Sequence, residues 1–137
     1  MDASVLLACA ISDGKARRTL LSANSVDFIA PAFILDEFQR HIPKIIALSG
    51  VAPSILSALA EDLFARVRTV ARDGYASALP SARKLAERAH ASGDEDYVAL
   101  AITLHAPIWT YDKDFRRIKA IRLISRQEIE RVGGIHP

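Results

Sequence analysis

Five short apolar runs constrain this chain more than any other feature: Ala3 to Leu7, Asp27 to Ala30, Val67 to Ala71, Pro107 to Thr110 and Ile121 to Ile124. Longer stretches with helical spacing separate them. Apolar runs of strand length that alternate with helices predict an α/β fold, with a central, mainly parallel sheet of about five short strands flanked by helices. The expected order is roughly β-α-β-α-α-β-α-α-β-α-β-α. No repeat, low-complexity tract or linker divides the 137 residues. One domain over residues 1–132 is therefore expected, with 133–137 as a short C-terminal tail.

Prolines, glycines and capping residues punctuate the helices. Pro31 is expected to open one, because a first helical turn does not need its missing N–H. Phe38, Ile42, Ile45 and Ile46 mark an apolar face that Pro43 should kink or restart, and Gly50 should close. Pro53 opens another helix, with Leu56, Leu59, Ala60, Leu63 and Phe64 on one side. Pro80 or Ser81 starts the helix through Leu85 and Ala89. Ser92 and Glu95 have capping-box spacing ahead of a helix that should run towards Pro107. Ser125 to Val132 forms the last helix, ended by Gly133 and Gly134.

Composition narrows the class. Half the residues are apolar and 25% are charged, which excludes a disordered chain. No run approaches the roughly 20 apolar residues of a membrane span, and the start has no basic n-region, so neither a membrane segment nor a signal peptide is expected. A lone cysteine, Cys9, excludes an internal disulfide and suits a cytoplasmic setting. Cys9 has no evident base beside it and is expected in the core. No His/Cys spacing matches a zinc site.

The acidic residues carry the chemistry. Ligands of open α/β sheets bind beyond the carboxyl ends of the strands. Asp2 stands at the first strand, Glu37 one to two turns into a helix, Asp94 in the first turn of a helix, and Asp112 at the tip of a strand. Carboxylates brought together repel one another and call for a cation. Oxygen ligands suit Mg²⁺ or Mn²⁺, and the matching chemistry is phosphodiester hydrolysis. Ser4 and Thr110, each two residues from an aspartate, are placed to orient a carboxylate, water or phosphate.

Each of these acids also has an ordinary structural role open to it. Asp94, Glu95 and Asp96 complement a helix dipole. Asp112 suits the N-cap of a short helix, and Asp114 suits a second layer around the site or a pair with Arg117. Glu37 is spaced to pair with His41, and Asp36 is its rival for the inward position. Trp109 and Phe115 are expected in the core rather than against a base. Tyr97 and Tyr111 have polar tips near the acids.

The segments Asp2-Ala3-Ser4-Val5-Leu6-Leu7, Phe33-Ile34-Leu35-Asp36-Glu37-Phe38, Asp94-Glu95-Asp96-Tyr97-Val98-Ala99-Leu100-Ala101 and Pro107-Ile108-Trp109-Thr110-Tyr111-Asp112-Lys113-Asp114-Phe115 resemble, in this order, the motifs of PIN-domain nucleases, VapC-type toxins included. The resemblance spans nearly the whole chain. It implies a Mg²⁺- or Mn²⁺-dependent ribonuclease with Asp2, Glu37, Asp94 and Asp112 as the acidic site. Asp2, Asp94 and Asp112 would ligate metal, with Ser4, Thr110, Asp96 and Asp114 in support. It also implies an RNA substrate, an antitoxin protein as partner and a homodimer. One departure stands out: the family's first strand carries several apolar residues before its aspartate, and here only Met1 does. Either that strand is cut short or the start lies upstream. An α-ammonium beside Asp2 would compete with metal.

A non-catalytic PIN-like module that binds RNA or protein is the alternative reading. A haloacid-dehalogenase-like phosphatase needs a second aspartate where Ser4 stands. Charge distribution favours a nucleic-acid partner. The chain has 18 basic and 16 acidic residues, but setting the four site acids aside leaves a clearly basic remainder. Lys113, Arg116, Arg117, Lys119, Arg122, Arg126 and Arg131 form either a solvated face or a phosphate-tracking rim beside Asp112. Arg17, Arg18, Arg40 and Lys44 are candidates for a second margin near Glu37.

Overall fold

The computed structural model describes residues 1–91 and 93–134. Among them, two strands form a named sheet: β1 (Phe28–Pro31) and β2 (Val67–Val70) pair in parallel, with Phe28 opposite Val67 and Pro31 opposite Val70. The crossover between them is helical: α3 (Phe33–Arg40), α4 (Ile42–Ser49) and α5 (Pro53–Ala65). Ahead of β1 come α1 (Ala3–Ile11) and α2 (Lys15–Ser22). After β2 come α6 (Leu79–Arg88), α7 (Glu95–Leu104) and α8 (Arg126–Val132).

The expected sheet of about five strands is thus corrected to two strands and fragments that extend them. Ile108 and Leu123 form an isolated parallel bridge, with Ile108 N donating to Arg122 O at 2.9 Å and Ile124 N to Ile108 O at 3.0 Å. Between that bridge and β1 lie only Met1 and Asp2. The Met1 nitrogen donates to Ile29 O at 2.9 Å, and Asp2 N donates to Trp109 O at 3.3 Å. Single bonds at a strand stub join the layers where a full ladder was expected.

The run Ala3 to Leu7 is helical, not extended. Ala3, Val5, Leu6, Cys9 and Ala10 of α1 are all buried, and α1 packs on α2, α3, α4 and α5. A helix buried on most sides is apolar nearly all round, so a five-residue apolar run cannot separate it from a buried strand. Alanine and leucine then favour the helix. Pro31 also differs from expectation: it ends β1, and α3 starts two residues later at Phe33.

Other punctuation acts as expected. Pro43 restarts the chain as α4 after α3 ends at Arg40, and Gly50 closes α4 at φ +68°. Pro53 and Pro80 sit in the first turns of α5 and α6. The last helix, expected from Ser125, starts one residue later because Ser125 caps it, its hydroxyl accepting from Glu128 N at 3.1 Å. Ser92, the expected cap of α7, lies outside the described residues, as do 135–137 of the expected tail. Asp94 occupies the N-cap of α7, and the Glu95 carboxylate reaches back to Gly93 N at 2.9 Å. The same helix stops at Leu104, short of Pro107, because His105 turns left-handed at φ +50°.

Partly buried polar clamps lock the helices. Arg66 donates to the carbonyls of Leu20 and Ala23 at the end of α2, and Arg17 to that of Cys9 in α1. Thr19, 1% exposed, donates to Glu130 at 2.8 Å, and Arg126 also binds Glu130, fastening α8 to α2. Trp109 and Phe115 are core residues, and Cys9 is fully buried with its thiol pushed up to about 12 by desolvation. No single described helix is long and apolar enough to cross a membrane; α4 and α5 together pass by composition but bend by 113°.

Candidate active site

Asp2 is the organising residue. It stands where the Met1–Asp2 stub turns into α1, and it is 5% exposed. Its backbone is extended and its side chain does not cap the helix, which leaves both carboxylate oxygens for other partners. Ser4 donates to one at 2.6 Å and Thr110 to the other at 2.9 Å. The two hydroxyls in turn accept backbone N–H groups, Ser4 from Tyr111 at 2.9 Å and Thr110 from Asp112 at 2.9 Å. This network ties the start of the chain to the strand end more than a hundred residues away. Burial raises the Asp2 carboxyl above its ordinary range; Ser4, Thr110 and the α-ammonium oppose that rise, and Asp112 adds to it. The ammonium itself is lowered to about 6 by burial, with Asp2 pulling the other way.

Asp94 registers the other acids. Its carboxyl is pushed up to about 7, first by burial and then by Asp112, Asp2, Glu37 and Asp114. Those five residues come from four distant parts of the chain, so the fold brings the four expected site acids into one electrostatic neighbourhood. Glu37 is the inward member of its pair, half-buried where Asp36 is exposed. Burial raises its carboxyl, Tyr97 and Arg40 oppose the rise, and Asp2 and Asp96 reinforce it. The Tyr97 hydroxyl leans towards Glu37 without reaching hydrogen-bond geometry and is buried with no other partner among the described residues.

Several neighbours have structural duties. Asp112 caps the short 3-10 turn Lys113–Arg117 by accepting from Asp114 N at 2.9 Å, so its capping role and its place among the acids coexist. Asp114 pairs with Arg117. Asp96 accepts from the Tyr75 hydroxyl at 2.5 Å and sits 3.7 Å from Arg72. Sequence reading did not single out Tyr75 or Arg72; nothing in their spacing pairs them with α7. His41 bonds the Glu37 backbone carbonyl at 3.1 Å, not its carboxylate.

The basic margins are thinner than the sequence suggests. Arg117, Arg122 and Arg126 pair with Asp114, Glu128 and Glu130, and Arg17 is spent on α1 carbonyls. Lys113, Arg116 and Lys119 are exposed beside Asp112. Arg40 lies 5.6 Å from the centre of the Phe33 ring.

An all-carboxylate donor set suits a hard divalent cation such as Mg²⁺ or Mn²⁺, and the repulsion felt by Asp94 is what such a cation would relieve. Among the described residues, however, no three His, Cys, Asp or Glu side chains are grouped closely enough to hold a metal ion together.

The family model described as PIN domain matches residues 1–128. No curated protein matches the chain, nor does any solved structure. PIN domains are typically metal-dependent nucleases, generally served by divalent metals such as Mg²⁺. The motif order, the parallel sheet and the acids gathered around Asp94 agree with that match: this chain belongs to the PIN-domain family.

Proposed function

We propose that this chain is a Mg²⁺- or Mn²⁺-dependent endoribonuclease whose site is Asp2, Glu37, Asp94 and Asp112. The observation that carries the reading is the Asp94 carboxyl, pushed up to about 7 by burial and by Asp112, Asp2, Glu37 and Asp114. A shift of that size, produced by burial together with named like charges, supports reading these acids as a functional cluster whose repulsion a cation would relieve.

In this reading Asp2, Asp94 and Asp112 hold the metal, and Glu37 orients the attacking water. A divalent cation, when bound, supplies water activation and charge neutralisation at the leaving oxygen. Ser4 and Thr110 fix the rotamer of Asp2 and keep its oxygens directed. Asp96 and Asp114 support from the second layer, each held by its own arginine. Lys113, Arg116 and Lys119 draw the RNA backbone to the rim. A cytoplasmic toxin acting as a homodimer with an antitoxin partner is the biological setting the motif resemblance favours.

The test is cleavage of mixed RNA by purified protein with Mg²⁺, Mn²⁺ or EDTA, beside Asp112→Asn and Asp94→Asn. Metal-dependent cleavage that both substitutions abolish is expected; undiminished cleavage by both would remove the proposal. The second reading, a non-catalytic RNA- or protein-binding module, draws on the absence of a tight ligand group among the described residues. RNA binding without metal-dependent cleavage would favour it.

A further inference from the structure

Among the described residues, the Tyr97 hydroxyl is one of two buried side-chain polar atoms without a hydrogen-bond partner. Tyr97 is 4% exposed, so bulk water does not serve it. Buried hydroxyls are nearly always satisfied, and one left over beside a functional site asks for a reason.

The ring is placed from two sides. Tyr97 lies in the first turn of α7, three residues after Asp94, and helical side chains lean back towards the start of their helix. That lean carries the hydroxyl towards the acids. Across from it stands α3. The Phe33 ring lies 6.3 Å from the Tyr97 ring, and Phe33 and Glu37 are four residues apart on one face of that helix. Arg40, 5.6 Å from the centre of the Phe33 ring, extends the same face outwards. The face of α3 that meets Tyr97 is therefore the face that carries Glu37. Burial raises the Tyr97 hydroxyl above the usual phenol range, and Glu37 leads the carboxylates that add to the rise.

The site acids differ in how they are held. Asp2 is gripped by Ser4 and Thr110, and Asp112 accepts from Asp114 N. Glu37 has the longest side chain of the four, yet among the described residues only its backbone carbonyl is bonded, by His41. A half-buried carboxylate without a donor and a buried donor without an acceptor thus face one another. A turn about the Glu37 side-chain bonds joins them and breaks no other hydrogen bond. We propose that Tyr97 is the positioning residue for Glu37: its hydroxyl donates to the Glu37 carboxylate and holds it towards Asp2 and Asp94. The consequence for catalysis rests on the nuclease reading, in which Glu37 orients the attacking water; the contact itself does not. A long side chain that aims a water loses its aim when a supporting contact goes.

Tyr97→Phe removes the oxygen alone and keeps the ring against Phe33. Urea unfolding of the metal-free original chain, Tyr97→Phe, Glu37→Ala and the double variant at about pH 8 forms a cycle. Tyr97→Phe should raise the unfolding constant at least about threefold more when Glu37 is present than when alanine replaces it. An idle hydroxyl would cost nothing in either background, and equal effects in both overturn the proposal. In RNA cleavage with Mn²⁺, Tyr97→Phe should lower kcat about 10–100-fold and leave KM within about twofold. An unchanged kcat, or a loss confined to KM, also overturns it. If the original chain cleaves no RNA, the nuclease reading fails, while the unfolding cycle still decides whether Tyr97 holds Glu37.

Discussion

At the scale of single residues, the raised carboxyls set a pH signature. Asp94 keeps its proton in the folded chain up to about 7, whereas an unfolded aspartate loses it near 3.8. Between those values the folded state binds more protons, so stability must fall as pH rises. Asp2 and Glu37, also raised by burial, act in the same sense. The Met1 ammonium acts oppositely: lowered from 8.0 to about 6, it restores stability across that window. The metal-free protein should therefore lose stability from about pH 4 to 6, with the trend blunted above 6. Asp94→Asn should shrink the loss and stabilise the protein at pH 7. Urea melts at several pH values check both outcomes, and Mg²⁺ should stabilise the original protein more at pH 7 than at pH 5.

The hydroxyls around Asp2 lead to a second prediction at this scale. Ser4 and Thr110 each donate one hydrogen bond to its buried carboxylate. Removing a partner that orients a ligand typically costs about 10–100-fold in metal affinity or activity. Thr110→Val should lower RNA cleavage by roughly that factor while leaving the far-ultraviolet circular dichroism unchanged. Full activity in this variant would show that Ser4 alone orients Asp2.

At the scale of elements, helix ends carry the testable energetics. His105 closes α7 with φ +50°, a left-handed conformation that a side chain disfavours by roughly 1–2 kcal/mol. The residue is exposed, so no packing is lost on truncation. His105→Gly should stabilise the chain by up to about 1 kcal/mol, after allowing for the greater freedom of glycine when unfolded. Thermal melts read the change. α1 is the contrary case, an element with no side-chain cap at its start and five residues buried in the core. Leu6 is fully buried in it, and Leu6→Ala should cost about 2–5 kcal/mol. Because α1 begins one residue after Asp2, that loss should reach the site as well as the core.

At the scale of the whole molecule, charge placement decides how RNA would approach. The near-neutral total conceals acids drawn inwards around Asp94 and bases left outside. Pairing within the fold neutralises Arg117, Arg122 and Arg126, which leaves Lys113, Arg116 and Lys119 as the exposed cations beside Asp112. Each phosphate contact contributes about 0.7 to the slope of log affinity against log salt for a single strand. Lys113→Ala combined with Arg116→Ala should weaken RNA binding and lower that slope by about 1 to 2. Arg122→Ala should change it little. Filter binding from low to moderate salt separates the two.

Much of this was legible without coordinates, and the limits have physical causes. The proline and glycine stops at Pro43, Gly50, Pro53 and Pro80 were readable because they act through local sterics. The four acids could be proposed as a set from the order of their motifs. By contrast, Ala3 to Leu7 has the same apolar pattern whether buried as strand or helix, and only the packing of α1 among four other helices chose between them. The choice of Glu37 over Asp36 rested on which side of α3 meets the core. The sequence by itself determined where the chain could turn, which residue types would be buried and which acids were available. Tertiary structure alone decided that Ser4 and Thr110 would share Asp2 and that Tyr75 would hold Asp96. Those contacts join residues up to 108 positions apart. Local propensity carries no information at that separation, and only burial in a common core makes such a contact specific.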